Sequence, residues 1–147
     1  MNMHKILFCK CTEGWAKYAP LVLRLSAGTI FAMHGYQKFS GGIDGVAGFF
    51  TQLGIFAPTF FAYVVTYVEL LGGIALILGI FTHWAAKLLA IDMLVATWIV
   101  HIPNGFFITN GGISYTLILF AVAISLMLSG PGIWSLDEQL TKKESKI

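Results

Sequence analysis

At 147 residues the chain has the length of one domain, but 57% of it is hydrophobic, only 11% is charged, and the mean hydropathy is +0.80. Seven acidic and nine basic residues cannot cover a water-facing surface, which excludes a soluble globule, a disordered chain, a collagen and a disulfide scaffold. A net charge of +2 is too small to argue for nucleic acid, so the composition points to an integral membrane protein with the lipid bilayer as its solvent.

The first segment, 1–19, carries Cys9 and Cys11 one residue apart. That is closer than zinc knuckles or thioredoxin-like pairs allow, so they read as free thiols and no metal site is expected. The apolar run Ile6, Leu7, Phe8 is too short for a signal peptide, so the first long apolar segment is expected to stay in the mature chain. Four apolar stretches follow, at 20–37, 58–80, 83–102 and 113–130. Each can cross a core of about 30 Å as a helix rising about 1.5 Å per residue. None shows the strict alternation of a membrane barrel. The expected fold is an all-α bundle of four transmembrane helices over 20–130, followed by a cytoplasmic tail at 131–147.

Lys5, Lys10 and Lys17 precede the first span, Lys87 lies near the second connection, and Lys142, Lys143 and Lys146 follow the fourth. The positive-inside rule then puts both termini in the cytoplasm, with Lys38 alone on the opposite side, in the loop before the second span. Tyr18, Tyr36, Trp84, Tyr115 and Trp134 sit near span ends, where amphipathic rings anchor. Between the first two spans, the glycine-rich stretch 40–54 is too short to cross. Asp44 there is expected to cap a short outer-face helix running to Leu53. No Gly-Lys-Ser or Gly-Lys-Thr ends this run, so it is no phosphate loop.

Ionisable groups inside a bilayer cost several kcal/mol (~3 or more) unless paired or hydrated, which singles out Arg24, Glu69 and Asp92. Arg24 lies about 21 Å below Lys38 and Glu69 about 17 Å below Pro58, so the two are expected to pair if both helices start together. Small residues share their faces: Ala27, Gly28 and Gly35 with Arg24, and Gly72 and Gly73 with Glu69. Asp92 stands nine residues before His101, a half-turn offset that directs them to opposite sides of the third span. At the outer end, His34, Tyr36, His101, Asn104, Ser114 and Tyr115 fall at similar depth beside Phe31, Trp98, Phe106 and Phe107. Imidazole, amide and hydroxyl groups among apolar walls suit a quinone or phenolic head, with the 103–112 loop as a lid and the helix after Asp44 closing the other side.

These residues also carry a resemblance. Leu23-Arg24 with Gly28, Phe31 and His34-Gly35-Tyr36-Gln37-Lys38 resembles the first span of the DoxX family of small bacterial four-span membrane proteins. Glu69-Leu70-Leu71-Gly72-Gly73 with Gly79 resembles its second span, and His101-Ile102-Pro103-Asn104-Gly105-Phe106-Phe107 with Gly111-Gly112 its third-span end and loop. Ser129-Gly130-Pro131-Gly132 and Ser135-Leu136-Asp137 resemble its closing segment, so the likeness covers 20–137. It implies an inner-membrane four-helix protein, in a family linked to thiosulfate:quinone oxidoreductase subunits, quinone or catechol detoxification and oxidative-stress complexes. Where members often have Gly-Gly-Tyr-Glu, this chain has Gly111-Gly112-Ile113-Ser114, so Ser114 replaces an acidic group. Asp92 is not expected from the pattern, and together the two departures imply a displaced carboxylate or altered chemistry.

Several functions stand open at this level. A quinone-interacting redox subunit would need electrons from a partner or from its substrate, because no membrane cysteine pair, Cys-X-X-Cys-His or dinucleotide fingerprint is present. A non-catalytic scaffold would instead recruit a soluble redox enzyme. A b-type haem between His34 and His101 is a weaker reading, and a small transporter would need an oligomer or the mid-membrane charges. Gly28, Gly35, Gly72 and Gly79 supply close-packing surfaces, either internal or between copies in a homo-oligomer.

Overall fold

A computed structural model describes residues 14–144, with side chains described as far as Lys142. The expected free thiols Cys9 and Cys11, and Lys5, Lys10 and Lys146, lie outside the described residues. Among the described residues the structure is helical with no strand. α1 (Ala19–Gly41) is followed by the short α2 (Ile43–Gln52), α3 (Pro58–Leu78), α4 (Thr82–Ala96), α5 (Ser114–Ser129) and α6 (Leu136–Glu144). A π turn, Thr97–His101, extends α4 and leads into a 3₁₀ turn at Ile102–Asn104.

Two continuous helical runs, Pro58–Leu78 and Thr82–Asn104, are long and apolar enough to cross a membrane. α1 has 23 residues but carries Arg24 and Lys38, and α5 is a 16-residue apolar helix. Large apolar side chains such as Val22, Leu71, Leu88 and Ile118 are exposed on the outside of the bundle, as lipid-facing positions would be. Inside, Phe31, Leu76, Leu89, Leu119 and Leu126 form one core with Ala27 and Ala86.

The glycines set how close the helices come. A Cβ at Gly35 would strike the Leu70 backbone, one at Gly73 the Ala32 backbone, and one at Gly28 would lie 2.8 Å from the Gly73 carbonyl oxygen. These residues therefore seat α1 against α3 within the chain, while Gly72 faces Leu89 of α4 and Gly79 faces Ser135. α2 packs mainly on α3, and α4 pairs with α5. Asp44 does not cap α2: Gly42, at φ 94°, turns the chain, and Asp44 lies within the first turn, where its charge still suits the helix dipole.

The end of the bundle near the start of α1 is closed by side chains reaching between elements. The first N–H groups of α4 have no local cap, since Phe81 precedes them at φ 48°. Asp137 supplies it: Phe81 N–H and Thr82 N–H donate to its two carboxylate oxygens, both at 2.9 Å. At the C-terminus of α3, Arg24 Nη1 donates to the carbonyls of Leu76 and Ile77, and Nη2 donates to Trp134 at 2.6 Å and to Ile133 at 3.4 Å, while Nε is buried without a partner. A cation thus sits at one helix C-terminus and an anion at the next helix N-terminus, each matching the helix dipole. The tail expected over 131–147 is anchored to the bundle through Ile133, Trp134 and Asp137, with Ser135 fully buried. Farther along α6, a hydrogen bond from Lys142 holds the Glu138 carboxyl below the usual range.

Candidate functional site

The expected Arg24–Glu69 pair does not form. Arg24 is spent on backbone carbonyls, and the ion-pair partner of Glu69 is Lys38. The depth reckoning assumed that the two helices start together, but Gly28 meets Gly73 and Ile77 while Gly35 meets Leu70. That register brings Arg24 to the last turn of α3 and Lys38 to Glu69. Lys38 is accordingly in the last turns of α1 rather than a loop, and its long side chain turns inward, 27% exposed, to a carboxylate that is 6% exposed.

Around this pair lies a cavity of about 520 Å³ between α1, α2, α3, the α4–π segment and α5, within the usual size of small-molecule sites. Phe31, His34 and Lys38 line it from one face of α1, at the i, i+3, i+7 spacing that a helical reading of α1 could have found. Val46, Phe49 and Phe50 of α2 close one side, in agreement with the expectation for that helix. Glu69, Asp92, His101 and Tyr115 complete the polar wall.

Asp92 and His101 therefore share one cavity and do not face opposite sides. The cause is the π turn between them, where each residue advances the helix by less than the roughly 100° of α geometry. Its local origin is Thr97, whose hydroxyl lies 2.6 Å from the Met93 carbonyl and 2.7 Å from the Thr116 hydroxyl of α5, drawing a side chain into the helix ladder. The Asp92 carboxyl neighbours both Glu69 and Lys38, within hydrogen-bonding reach of Glu69, and no donor reaches its buried Oδ2.

The histidines are fixed by neighbours. His34 Nε2 and the Tyr115 hydroxyl are 3.3 Å apart. His101 Nδ1 lies 2.6 Å from the Gly111 carbonyl; since a carbonyl only accepts, Nδ1 carries the proton, and in the neutral ring Nε2 keeps its lone pair. Asn104 donates to Val100 and Gly111 carbonyls, bracing the same loop instead of facing the cavity.

Tyr36, Ser114 and Phe106 do not line this cavity either. Tyr36 is exposed on the opposite edge of His34, and Ser114 opens α5, its N–H donating to the Phe106 carbonyl. The 103–112 loop is no lid: its backbone bonds join Gly112 to Phe107 and Ile113 to Gly105, folding it on itself with Phe106 and Phe107 turned outward, 55% and 68% exposed. Trp98 is also on the outside. The arrangement can hold a flat ring among aromatic and aliphatic walls and meet its polar edge with charged and hydrogen-bonding groups.

A family model described as DoxX matches residues 19–102. The chain is 36% identical over 133 residues to the uncharacterized membrane protein Rv3486 of Mycobacterium tuberculosis, covering 84% of this chain and 82% of that one. It is 33% identical over 117 residues to a Bacillus subtilis protein named "Putative oxidoreductase CatD", covering 80% and 83%. An uncharacterized protein of Haemophilus influenzae is 32% identical over 142 residues, covering 89% and 97%. No solved structure matches significantly. With its apolar helices, their small-residue contacts and this match over more than half its length, the chain belongs to the DoxX family of membrane proteins.

Proposed function

We propose that this chain is an integral membrane subunit that binds a neutral oxygenated aromatic ring, quinoid or phenolic, in the cavity bounded by His34, Glu69, Asp92, His101 and Tyr115. The observation that carries the reading is a cavity of about 520 Å³ with mostly apolar walls and a few converging polar groups inside a membrane bundle. The Bacillus subtilis relative, named a putative oxidoreductase, supports placing such a ligand in a redox or oxidative-stress pathway. Electrons would come from a soluble redox partner or from the substrate itself.

In this reading α1, α3, the α4–π segment and α5 all cross the bacterial inner membrane, with both ends of the bundle chain in the cytoplasm. The start of α1 and the segment after α5 meet at one end, as an even number of spans requires: a Cβ at Gly132 would lie 2.8 Å from Pro20, and Tyr18 packs edge-on against Trp134. Lys17, Lys87 and Lys142 give that end its positive charge. A cytoplasm-sensitive reporter fused at either end should be active, and a periplasm-sensitive one silent; the reverse pattern overturns the orientation.

Ligand binding is tested by calorimetric titration of gently purified protein with a short-chain quinone, together with mass spectrometry of its solvent extract. Saturable one-site binding is expected, and His101→Leu should weaken binding of the corresponding hydroquinone, whose O–H can donate to Nε2, by about 1–3 kcal/mol, the value of one buried hydrogen bond. An extract free of aromatic ligand with no saturable binding of quinone or hydroquinone would leave the scaffold reading, with a soluble enzyme co-purifying, as the better account.

A further inference from the structure

The cavity wall holds more hydrogen-bond acceptors than donors, and the imbalance bears on which ring can enter. The carboxylates of Glu69 and Asp92 together offer about eight lone-pair sites, against three N–H donors on the Lys38 ammonium. At least one of those donors is used on Glu69. A proton held between the two carboxyls removes one acceptor site and adds one donor, and still leaves acceptors in excess.

The other polar groups do not correct it. Tyr115 and His34 share one hydrogen bond and keep one donor between them, too few to balance the carboxyl oxygens, and the Thr116 hydroxyl is occupied by Thr97 and by the Ile113 carbonyl. His101 has its Nδ1 proton on Gly111 and presents an acceptor at Nε2 in the neutral ring. Asp92 Oδ2 is buried with no donor and has no surface on the cavity, so it is the other carboxyl oxygen of Asp92 that the wall presents to a ligand. A quinone brings only carbonyl acceptors and would set oxygen against oxygen at Asp92. A phenol or hydroquinone brings the O–H donors in which this wall is short, and a site built for a donor rejects an analogue without one strongly.

Resting on the ring-binding reading, we infer that the cavity selects the reduced, hydroxyl-bearing form of its aromatic ligand over the quinone, with Asp92 as the specificity-determining acceptor. Binding alone is meant, with no electron transfer within this chain. The carboxylate of Asp92 accepts the ligand hydroxyl, Glu69 and Lys38 hold that carboxylate in place, and the apolar wall takes the ring face.

The test uses three ligands with one tetramethylated ring: durohydroquinone, duroquinone and the bis-methyl ether of the hydroquinone, titrated anaerobically against the full chain in detergent. The hydroquinone should bind about ten- to hundredfold tighter than either ligand that lacks O–H donors. Asp92→Asn, which adds an amide donor, should erase or reverse that ratio, and Asp92→Glu should keep it. A merely structural Asp92 would lower all three affinities together, and that result overturns the assignment. Quinone or ether binding as tightly as hydroquinone to the unaltered protein overturns it without any variant having to fold, while leaving ring binding intact. Absence of binding by all three sinks the ring-binding reading and this inference with it.

Discussion

Lys38 and Glu69 form an ion pair whose halves are unequally replaceable. With Glu69 changed to Gln, Lys38 still has the Asp92 carboxyl as a neighbour; with Lys38 changed to Met, two carboxyls face each other at membrane depth without a cation. Breaking a buried pair costs about 3–5 kcal/mol, and the exposed edge of Lys38 sets the lower end of that range for Lys38→Met. Thermal unfolding in mild detergent should therefore rank Lys38→Met clearly below Glu69→Gln, and equal or reversed losses would show that Asp92 does not share the lysine. Although Arg24 finds its partners at one end of the bundle and not at mid-depth, that Arg24, Glu69 and Asp92 had to find partners inside the bundle was legible from the cost of burying them. Their partners were not, because pairing depends on how far one helix slides along another. A shift of two turns separates Arg24 on carbonyls from Arg24 on Glu69. The same holds for Asp92 and His101: even spacing counts them apart, and one π turn, invisible to α-helical periodicity, returns them to one cavity.

Apolar run lengths carry most of the information at the level of elements, since helices occur where long apolar stretches predict them and the boundaries follow Pro58, Gly79 and Gly130. Contacts between elements were legible as far as their small residues. Gly35→Ala should destabilise the α1–α3 contact by about 1–3 kcal/mol, because its methyl would meet the Leu70 backbone, which no rotamer change can move. Gly48→Ala in α2 meets nothing within 4 Å and should stabilise that helix by about 0.5–1 kcal/mol. Denaturation in detergent compares the two, and similar losses would mean that the helices are not seated on their backbones. Caps read less well. Asp44 stands where a local cap belongs yet lies inside its helix, whereas Asp137 caps α4 from more than fifty residues downstream, which no local pattern encodes.

Across the whole molecule, the start of α1, the end of α3, the start of α4 and the segment after α5 are joined by two charged side chains at one end of the bundle. Arg24 collects carbonyls from α3 and from Ile133 and Trp134, and Asp137 returns the chain to the N-terminus of α4. This end keeps the helices in register and so sets the shape of the cavity at the other end, where Lys38 and Glu69 depend on the same α1–α3 register. A chain stopped after Gly132 would lose the Asp137 cap, worth about 1–2 kcal/mol. It would also leave part of the buried Arg24 guanidinium without acceptors, at about 1–3 kcal/mol. Its stability should fall by about 2–5 kcal/mol. A chain stopped after Leu140 keeps Trp134, Ser135 and Asp137, gives up the exposed Glu138–Lys142 pair and the exposed bond from the Thr141 hydroxyl to the Asp137 carbonyl, and should remain close to the full chain. Monodisperse yield and unfolding temperature in detergent distinguish the two truncations. If the shorter chain unfolds at the temperature of the longer one, the bundle holds its register without the returning segment, and the capping of α3 and α4 by Arg24 and Asp137 is incidental to the fold.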